Sequence, residues 1–228
     1  KCAEGIYQRV SELTVIDLAP RILPNVLTEV PAAIIQKHIE SKGVKFLLGD
    51  SVAQFEPNKA HLKSGGTIDF DILVVAVGVR PNTELAAEAG CEVNRGILID
   101  EHSATCVPNI YAAGDCCQGN NLQSGQTQII GLWANAGVQG RVAGRNMAGQ
   151  PDETDGNILH NITHFLDMDF IGLGDNRLTG DVRTYLAPDK GFYLQTVLKD
   201  GRPVGFNILD NYGVSGILKA HLIRLLRG

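Results

Sequence analysis

Residues 13–49 read "LTVIDLAPRILPNVLTEVPAAIIQKHIESKGVKFLLG", and the reading of this stretch decides the fold. "LTVID" (13–17) is a short apolar run of buried-strand type that ends in an acid. "EVPAAIIQKHIESKG" (29–43) predicts a helix. Pro31 suits its first turn, where a backbone N–H would be unpaired in any case, and Gly43 suits its C-terminal stop. "VKFLLG" (44–49) is a second strand. Strand, helix and strand in this order imply a parallel pair, because parallel strands need a crossover and a helix usually supplies it. Ahead of them, "CAEGIYQRVSE" (2–12) predicts a helix with Ala3, Ile6, Tyr7 and Val10 on one side.

The rhythm then shortens. "SVAQFEP", "KAHLKSG" and "TIDFD", separated by Pro57-Asn58 and Gly65-Gly66, read as an antiparallel meander. "DILVVAVGVRPN" (71–82) returns to a buried strand, and a helix around 83–89 ends at Gly90. "ILID" (97–100) and "NIYAAGD" (109–115) are read as further buried strands, and 118–130 as a polar loop. From Gly131, "GLWANAGVQGRVAGRNMAG" predicts a helix in which Gly137, Gly140 and Gly144 weaken helix propensity. Small residues there serve either close packing or ligand contact.

Residues 150–157, "QPDETDGN", form a polar linker. Strand-like stretches follow at 158–174, 181–187, 191–199 and 202–209, and Asp200-Gly201 is a strong hairpin signal. The C-terminal "YGVSGILKAHLIRLLRG" is an amphipathic helix with Val214, Ile217, Leu218, Leu222 and Leu225 on one face. Lys219, Arg224 and Arg227 lie toward its C-terminus, where cations suit the dipole.

Composition narrows the function classes. With 228 residues, 44% of them hydrophobic, the chain is long enough to bury a real core. A net charge of −5 argues against a nucleic-acid surface or a polybasic membrane patch. No apolar run approaches the ~20 residues of a membrane span, and the start "KCAEGIYQRV" lacks the apolar core of a signal peptide. Five cysteines without a regular framework imply reduced thiols and a cytoplasmic location. The first residue is Lys, which implies a fragment or a processed form.

The most specific signal is a pair of motifs in order: "DILVVAVGVRPN", with Asp71, Ala76, Gly78, Pro81 and Asn82, and "ILIDEHSATCVPNIYAAGD", with Asp100, Thr105, Pro108, Ile110, Tyr111, Ala112, Gly114 and Asp115. On these motifs the chain resembles the FAD-dependent pyridine nucleotide-disulfide oxidoreductases. The resemblance is nearest to the branch of rubredoxin reductases, NADH oxidases and nitrite reductase flavin modules. It covers most of the chain, most specifically 71–149.

The resemblance implies an α/β fold of incomplete doubly wound nucleotide-binding domains with a small α+β C-terminal domain. The expected divisions are 1–70 as a partial NAD-binding domain, 71–150 as the C-terminal half of an FAD-binding domain, and 158–228 as an α+β interface domain. It implies FAD and NAD(H) as cofactors, with electrons passing from NADH through flavin to a small molecule or small redox protein. Open sheet edges favour pairing between chains, so a homodimer is expected, and the charge and apolar-run lengths above argue against nucleic acid or membrane as a partner. The reading from another class is a non-catalytic dimerisation or electron-partner docking module.

Glycine lets a backbone approach a ligand closely, and a carboxylate beside it accepts hydrogen bonds from sugar hydroxyls. The resemblance therefore implies that Gly114 and Asp115 hold the ribityl chain of FAD; the alternative for Asp115 is an acid at a strand-to-loop turn. Trp133, Ala134 and Asn135 occupy the helix start, whose free N–H groups would face the flavin; Trp133 reads equally well as a core or interface aromatic. Gly78, Pro81 and Asn82 join the cofactor-binding set through their motif. Asp17 is the candidate for the adenosine ribose of NAD, where an acid also repels the 2′-phosphate of NADPH, with Arg21 near enough to blur that preference. Its alternative is an acid at a strand terminus.

No G-x-G-x-x-G precedes the first helix or appears elsewhere. The expectation is that the chain alone binds FAD weakly or not at all and is itself inactive. Cys116-Cys117 read as thiols rather than a redox disulfide, because adjacent cysteines close a tight ring that often needs a distorted peptide. His160 and His164 lie on a strand-like segment, and no metal site is expected. No catalytic side chain is assigned.

Overall fold

The computed structural model describes residues 1–174, 180–187 and 192–227. The parallel pair is present. Strand β1 (Leu13–Asp17) pairs in register with β2 (Val44–Leu48), Asp17 opposite Leu48. Helix α2 (Glu29–Ser41) crosses between them and stops before Gly43, whose φ of 91° is the left-handed conformation of a C-terminal cap. Helix α1 (Cys2–Ile6) is shorter than expected and ends before Tyr7. Strands β3 (Val52–Glu56), β4 (Lys59–Leu62) and β5 (Thr67–Asp69) form the antiparallel meander, with Asn58 at φ 60° and Gly65 at φ 98° between them.

Residues 71–82 correct the expectation of a buried strand. They have no regular structure, and no hydrogen bond from the described residues reaches them. Val77 and Val79 are 92% and 91% exposed. High β-propensity makes a strand only where a neighbour pairs the backbone, and no described segment runs alongside this one.

Helix α3 (Glu84–Glu88) ends before Gly90, and β6 is confined to Ile97–Leu98. Residues 109–115 are the second correction. Val107-Pro108-Asn109-Ile110 is a tight turn, with Asn109 at φ 66° and the Ile110 N–H donating to Val107 O at 3.2 Å. The chain doubles back, so that Ala112 N–H reaches Ser103 O at 3.1 Å. Pro followed by a residue of positive φ is a turn signal that outweighs the apolar run after it. Gly114–Cys116 form one 3₁₀ turn, and the span expected to be a polar loop contains β7 (Cys117–Asn120), parallel to β6, and β8 (Thr127–Gln128), antiparallel to β7.

Helix α4 (Trp133–Met147) turns Asn135, Gln139, Val142 and Ala143 inward. Gly137, Gly140 and Gly144 face open space, so close packing against the described residues does not explain them. Residues 150–157 are irregular but tied down, since Asp152 bridges Arg141 and Asn157 pairs with Asn121.

The C-terminal sheet has strand order β11-β12-β13-β10-β9: Asp181–Ala187, Phe192–Lys199, Arg202–Leu209, Met168–Gly174 and His160–Phe165. Gly191, expected to open β12, lies outside the described residues. The β12–β13 hairpin turns at Asp200 (φ 51°) and Gly201 (φ 73°), two successive positive φ values that match the right-handed twist of the strands. Alternation along the strands gives the sheet two buried faces. Phe170, Tyr193 and Leu209 pack against Ile22, Leu27, Ala32 and Ile35 of the first segment. Ile171, Leu173, Phe206 and Ile208 pack against Leu222 of α5 (Ser215–Arg227). Ile217 is 72% exposed, correcting its place on the apolar face: Val214, Leu218, Leu222 and Leu226 line that face at i, i+4 spacing. No helix among the described residues is long and apolar enough to cross a membrane.

Candidate functional site

Asp17 closes β1, at the carboxyl end of the parallel pair, where ligands of open α/β sheets bind. Its Oδ1 accepts the Ala19 N–H at 2.9 Å and its main-chain oxygen accepts the Asp50 N–H at 3.2 Å, while the side chain stays exposed. Arg21 points into its own loop, donating to Leu27 O and Pro24 O at 3.4 Å each. The only cation read as a rival to Asp17 is thus engaged with backbone carbonyls.

Gly114 and Asp115 lie in a turn against the start of α4. Gly114 has φ 83°, a conformation that disfavours any side chain, and its N–H donates to Gln139 Oε1 at 2.8 Å. Asp115 is exposed, and its carboxylate receives no hydrogen bond or ion pair from the described residues. The carboxylate lies over Gly131: a Cβ built there would stand 3.1 Å from Asp115 Oδ1. Leu132 caps α4 without a side-chain hydrogen bond, and the first N–H spent inside the helix near its start is that of Ala136, to Leu132 O at 2.9 Å. The N–H groups of Trp133 and Ala134 are left open at the positive end of the helix dipole.

Trp133 is 98% exposed, which corrects its reading as a core aromatic. Ala134 is exposed. Asn135 is buried, and its side-chain amide donates to Ile158 O at 3.2 Å, so its side chain ties α4 to the strand entry behind it and only its backbone faces the helix start. Gly78, Pro81 and Asn82 lie in the irregular 71–82 segment and form no hydrogen bond to Gly114 or Asp115.

Cys116 and Cys117 are free thiols. The Cys117 sulfur lies 3.1 Å from Gly114 O and 3.3 Å from Gln139 Oε1. Burial, reinforced by the negative fields of Cys116 and Asp115, pushes its pKa up to about 12. That direction disfavours the thiolate that thiol exchange needs at Cys117. His160 Nδ1 faces Lys219 Nζ at 3.0 Å, and burial with that cation lowers its pKa. His164 pairs instead with Glu4 at 3.0 Å, and no cluster among the described residues could hold a metal.

Sequence reasoning missed Gln139. It sits four residues after Asn135, one helical turn on, and amides at that spacing on a helix whose other inward residues are Val142 and Ala143 were the available signal. Gln139 also borders a cavity of about 260 Å³ lined by Asp100, Glu101, Gly119, Asn120 and Asn157 among others.

The parallel strand–helix–strand with a terminal acid, followed by a glycine–aspartate turn beneath an open helix N-terminus, makes this an α/β protein with candidate nucleotide-binding ends. Residues 1–140 match the family model described as pyridine nucleotide-disulphide oxidoreductase, and the chain belongs to that family. It is 36% identical over 151 residues to an NADH oxidase of Methanocaldococcus jannaschii, covering 64% of this chain and 34% of the relative. It is 34% identical over 152 residues to a rubredoxin-NAD(+) reductase of Pseudomonas putida, covering 64% and 39%. The solved NAD-dependent persulfide reductase from A. fulgidus superposes with a TM-score of 0.90 at 26% identity, over 97% of this chain and 46% of that one. The chain therefore spans between a third and a half of the length of these proteins. The family uses FAD and NAD(H).

Proposed function

We propose that the chain is part of an FAD-dependent NAD(P)H oxidoreductase that passes electrons from NADH through flavin to an acceptor. The observation that carries this reading is the unpartnered Asp115 carboxylate beside the bare start of α4. The residues present fit an FAD: an acceptor for sugar hydroxyls lies beside donors for an electron-rich group, and Gly131 and Gly114 keep both approachable. Bound FAD supplies hydride acceptance and onward electron release; the protein supplies orientation and electrostatics. Asp115 accepts from the ribityl hydroxyls. The backbone N–H groups at Trp133, Ala134 and Asn135 favour negative charge placed before the helix.

Asp17 accepts from the adenosine ribose hydroxyls of the nicotinamide cofactor. With Arg21 held by backbone carbonyls, its charge opposes a 2′-phosphate, which favours NADH. Gly78, Pro81 and Asn82 belong to the same cofactor-binding reading. The rubredoxin-NAD(+) reductase relative supports a small redox protein as acceptor. We further propose a homodimer in which 158–228 forms the contact region, which sedimentation measures directly.

The test is Asp115→Ala in the flavin-loaded full-length protein that contains this chain, read as flavin retained on gel filtration and as NADH-dependent dye reduction. Loss of both with an unchanged fold supports the reading. Full flavin content and wild-type turnover in Asp115→Ala overturn it.

A further inference from the structure

Gln139 is 4% exposed and uses both ends of its amide. Its Oε1 accepts the Gly114 N–H at 2.8 Å and lies 3.3 Å from the Cys117 sulfur. Its Nε2 donates to Asn157 Oδ1 at 3.0 Å. Asn157 is itself 5% exposed, and its backbone is fixed by Asn157 N–H to Asn120 O at 2.8 Å and Leu122 N–H to Asn157 O at 2.9 Å. The side chain that touches Gly114 is therefore held from behind by an immobile partner.

The backbone it holds is one that would not hold itself. Gly114 has φ 83°, and glycine occupies positive and negative φ with nearly equal ease. Nothing in its own chemistry selects the conformation that turns Asp115 toward Gly131. Gln139 Oε1 holds the Gly114 N–H, and the single Cys117 thiol proton reaches either that oxygen at 3.3 Å or Gly114 O at 3.1 Å, closing the turn.

We infer that Gln139 is a positioning residue for the Asp115 carboxylate, acting through the Gly114 N–H and braced by Asn157. The role rests on the reading of Asp115 as a flavin anchor. It extends that reading to a side chain that touches neither cofactor nor acceptor.

The test compares wild type, Gln139→Leu and Gln139→Glu. Leu keeps the bulk and removes the acceptor. Glu keeps an acceptor for Gly114, and the Asn157 amide can turn to meet it. Amide exchange at Gly114, read by NMR, reports the clamp without any cofactor. Gln139→Leu is expected to exchange about tenfold faster there, with Gln139→Glu near wild type and protection in β12–β13 unchanged in both. Gly114 exchange within twofold of wild type in Gln139→Leu overturns the clamp. Should Gln139→Leu fail to fold, Asn157→Ala removes the brace alone; faster Gly114 exchange in that variant supports the inference and unchanged exchange overturns it. Titration of the full-length protein that contains this chain with FAD, followed by flavin fluorescence, links the clamp to the anchor: Gln139→Leu is expected to lose about tenfold in affinity and Gln139→Glu to restore it. Wild-type affinity in Gln139→Leu, while Asp115→Ala has lost it, overturns the positioning role alone. Wild-type affinity in Asp115→Ala overturns the anchor reading itself.

Discussion

Gly131→Ala separates the anchor from the fold. The added methyl would sit 3.1 Å from Asp115 Oδ1, 3.2 Å from its Cγ and 3.4 Å from Oδ2. Comfortable contacts to carbon begin near ~3.5 Å, so the carboxylate must retreat by a few tenths of an ångström or rotate away. It is free to do so, because Asp115 is exposed and no described residue holds its oxygens. Gly131 is not among the residues of positive φ, so the backbone accepts alanine. Alanine also narrows the unfolded ensemble, which stabilises by ~0.4–1 kcal/mol and offsets the local crowding. The expected change in Tm by circular dichroism is therefore within about 3 °C of zero.

Binding responds differently. A hydrogen bond to a charged group contributes ~1.5–3 kcal/mol, so moving the carboxylate out of register is expected to weaken FAD binding about 10- to 150-fold. The assay is fluorescence titration with FAD of the full-length apoprotein that contains this chain, alongside the melt. Unchanged affinity with an unchanged melt would refute the placement of the ribityl chain at Asp115. A large drop in Tm would refute the claim that the carboxylate moves freely.

Ile35→Ala empties a fully buried position in the core shared by α2 and the C-terminal sheet. It is expected to cost ~2–5 kcal/mol in denaturant unfolding, with both regions melting in one transition; a C-terminal sheet that keeps its protection while α2 unfolds would contradict the shared core. Asp167 binds Lys42 at 2.7 Å and His38 at 2.6 Å, which holds its carboxyl near a pKa of about 2. Because the folded value is depressed, the contribution is fully present above the ordinary carboxylate range and is lost as pH falls through about 2. Asp167→Asn should flatten the acid limb of Tm against pH, and an identical limb in both proteins would show that the pair is inert. Cys117, pushed up to about 12, should stay unmodified by a thiol reagent at pH 8 while exposed Cys106 reacts, as peptide mapping after brief labelling reads; equal labelling rates would show that the turn around Cys117 is open.

What was legible in the sequence was what local chemistry decides. Residues 13–49 carry their own helix stop and strand pattern, and Asp200-Gly201 carries the backbone freedom its turn uses. Residues 71–82 and 109–115 misled for a shared reason: apolar, β-branched runs specify a strand only when another strand lies beside them, and that is a property of the rest of the molecule. In 109–115 a stronger local signal, Pro108-Asn109, was present and settled the backbone first. In the candidate site, Asp17 drew the reading by its place at the end of β1, and Gly114-Asp115 by the long motif around it that carries the family resemblance. Gln139 did not, because a glutamine inside a helix has no distinctive spacing until the turn it bonds to is folded against it.

The two candidate cofactor sites are connected through the C-terminal sheet. Among the described residues no hydrogen bond or ion pair joins residues 1–70 to residues 84–150. Both reach the third segment. The first does so through its core with Phe170, Tyr193 and Leu209, through His38 and Lys42 on Asp167, and through Thr28 on Gln195. The second does so through Gln123 on Val204 O and Asn135 on Ile158 O. On the contacts present, the segments that carry Asp17 and Asp115 are held to each other through residues 158–228, which contribute no candidate ligand of their own.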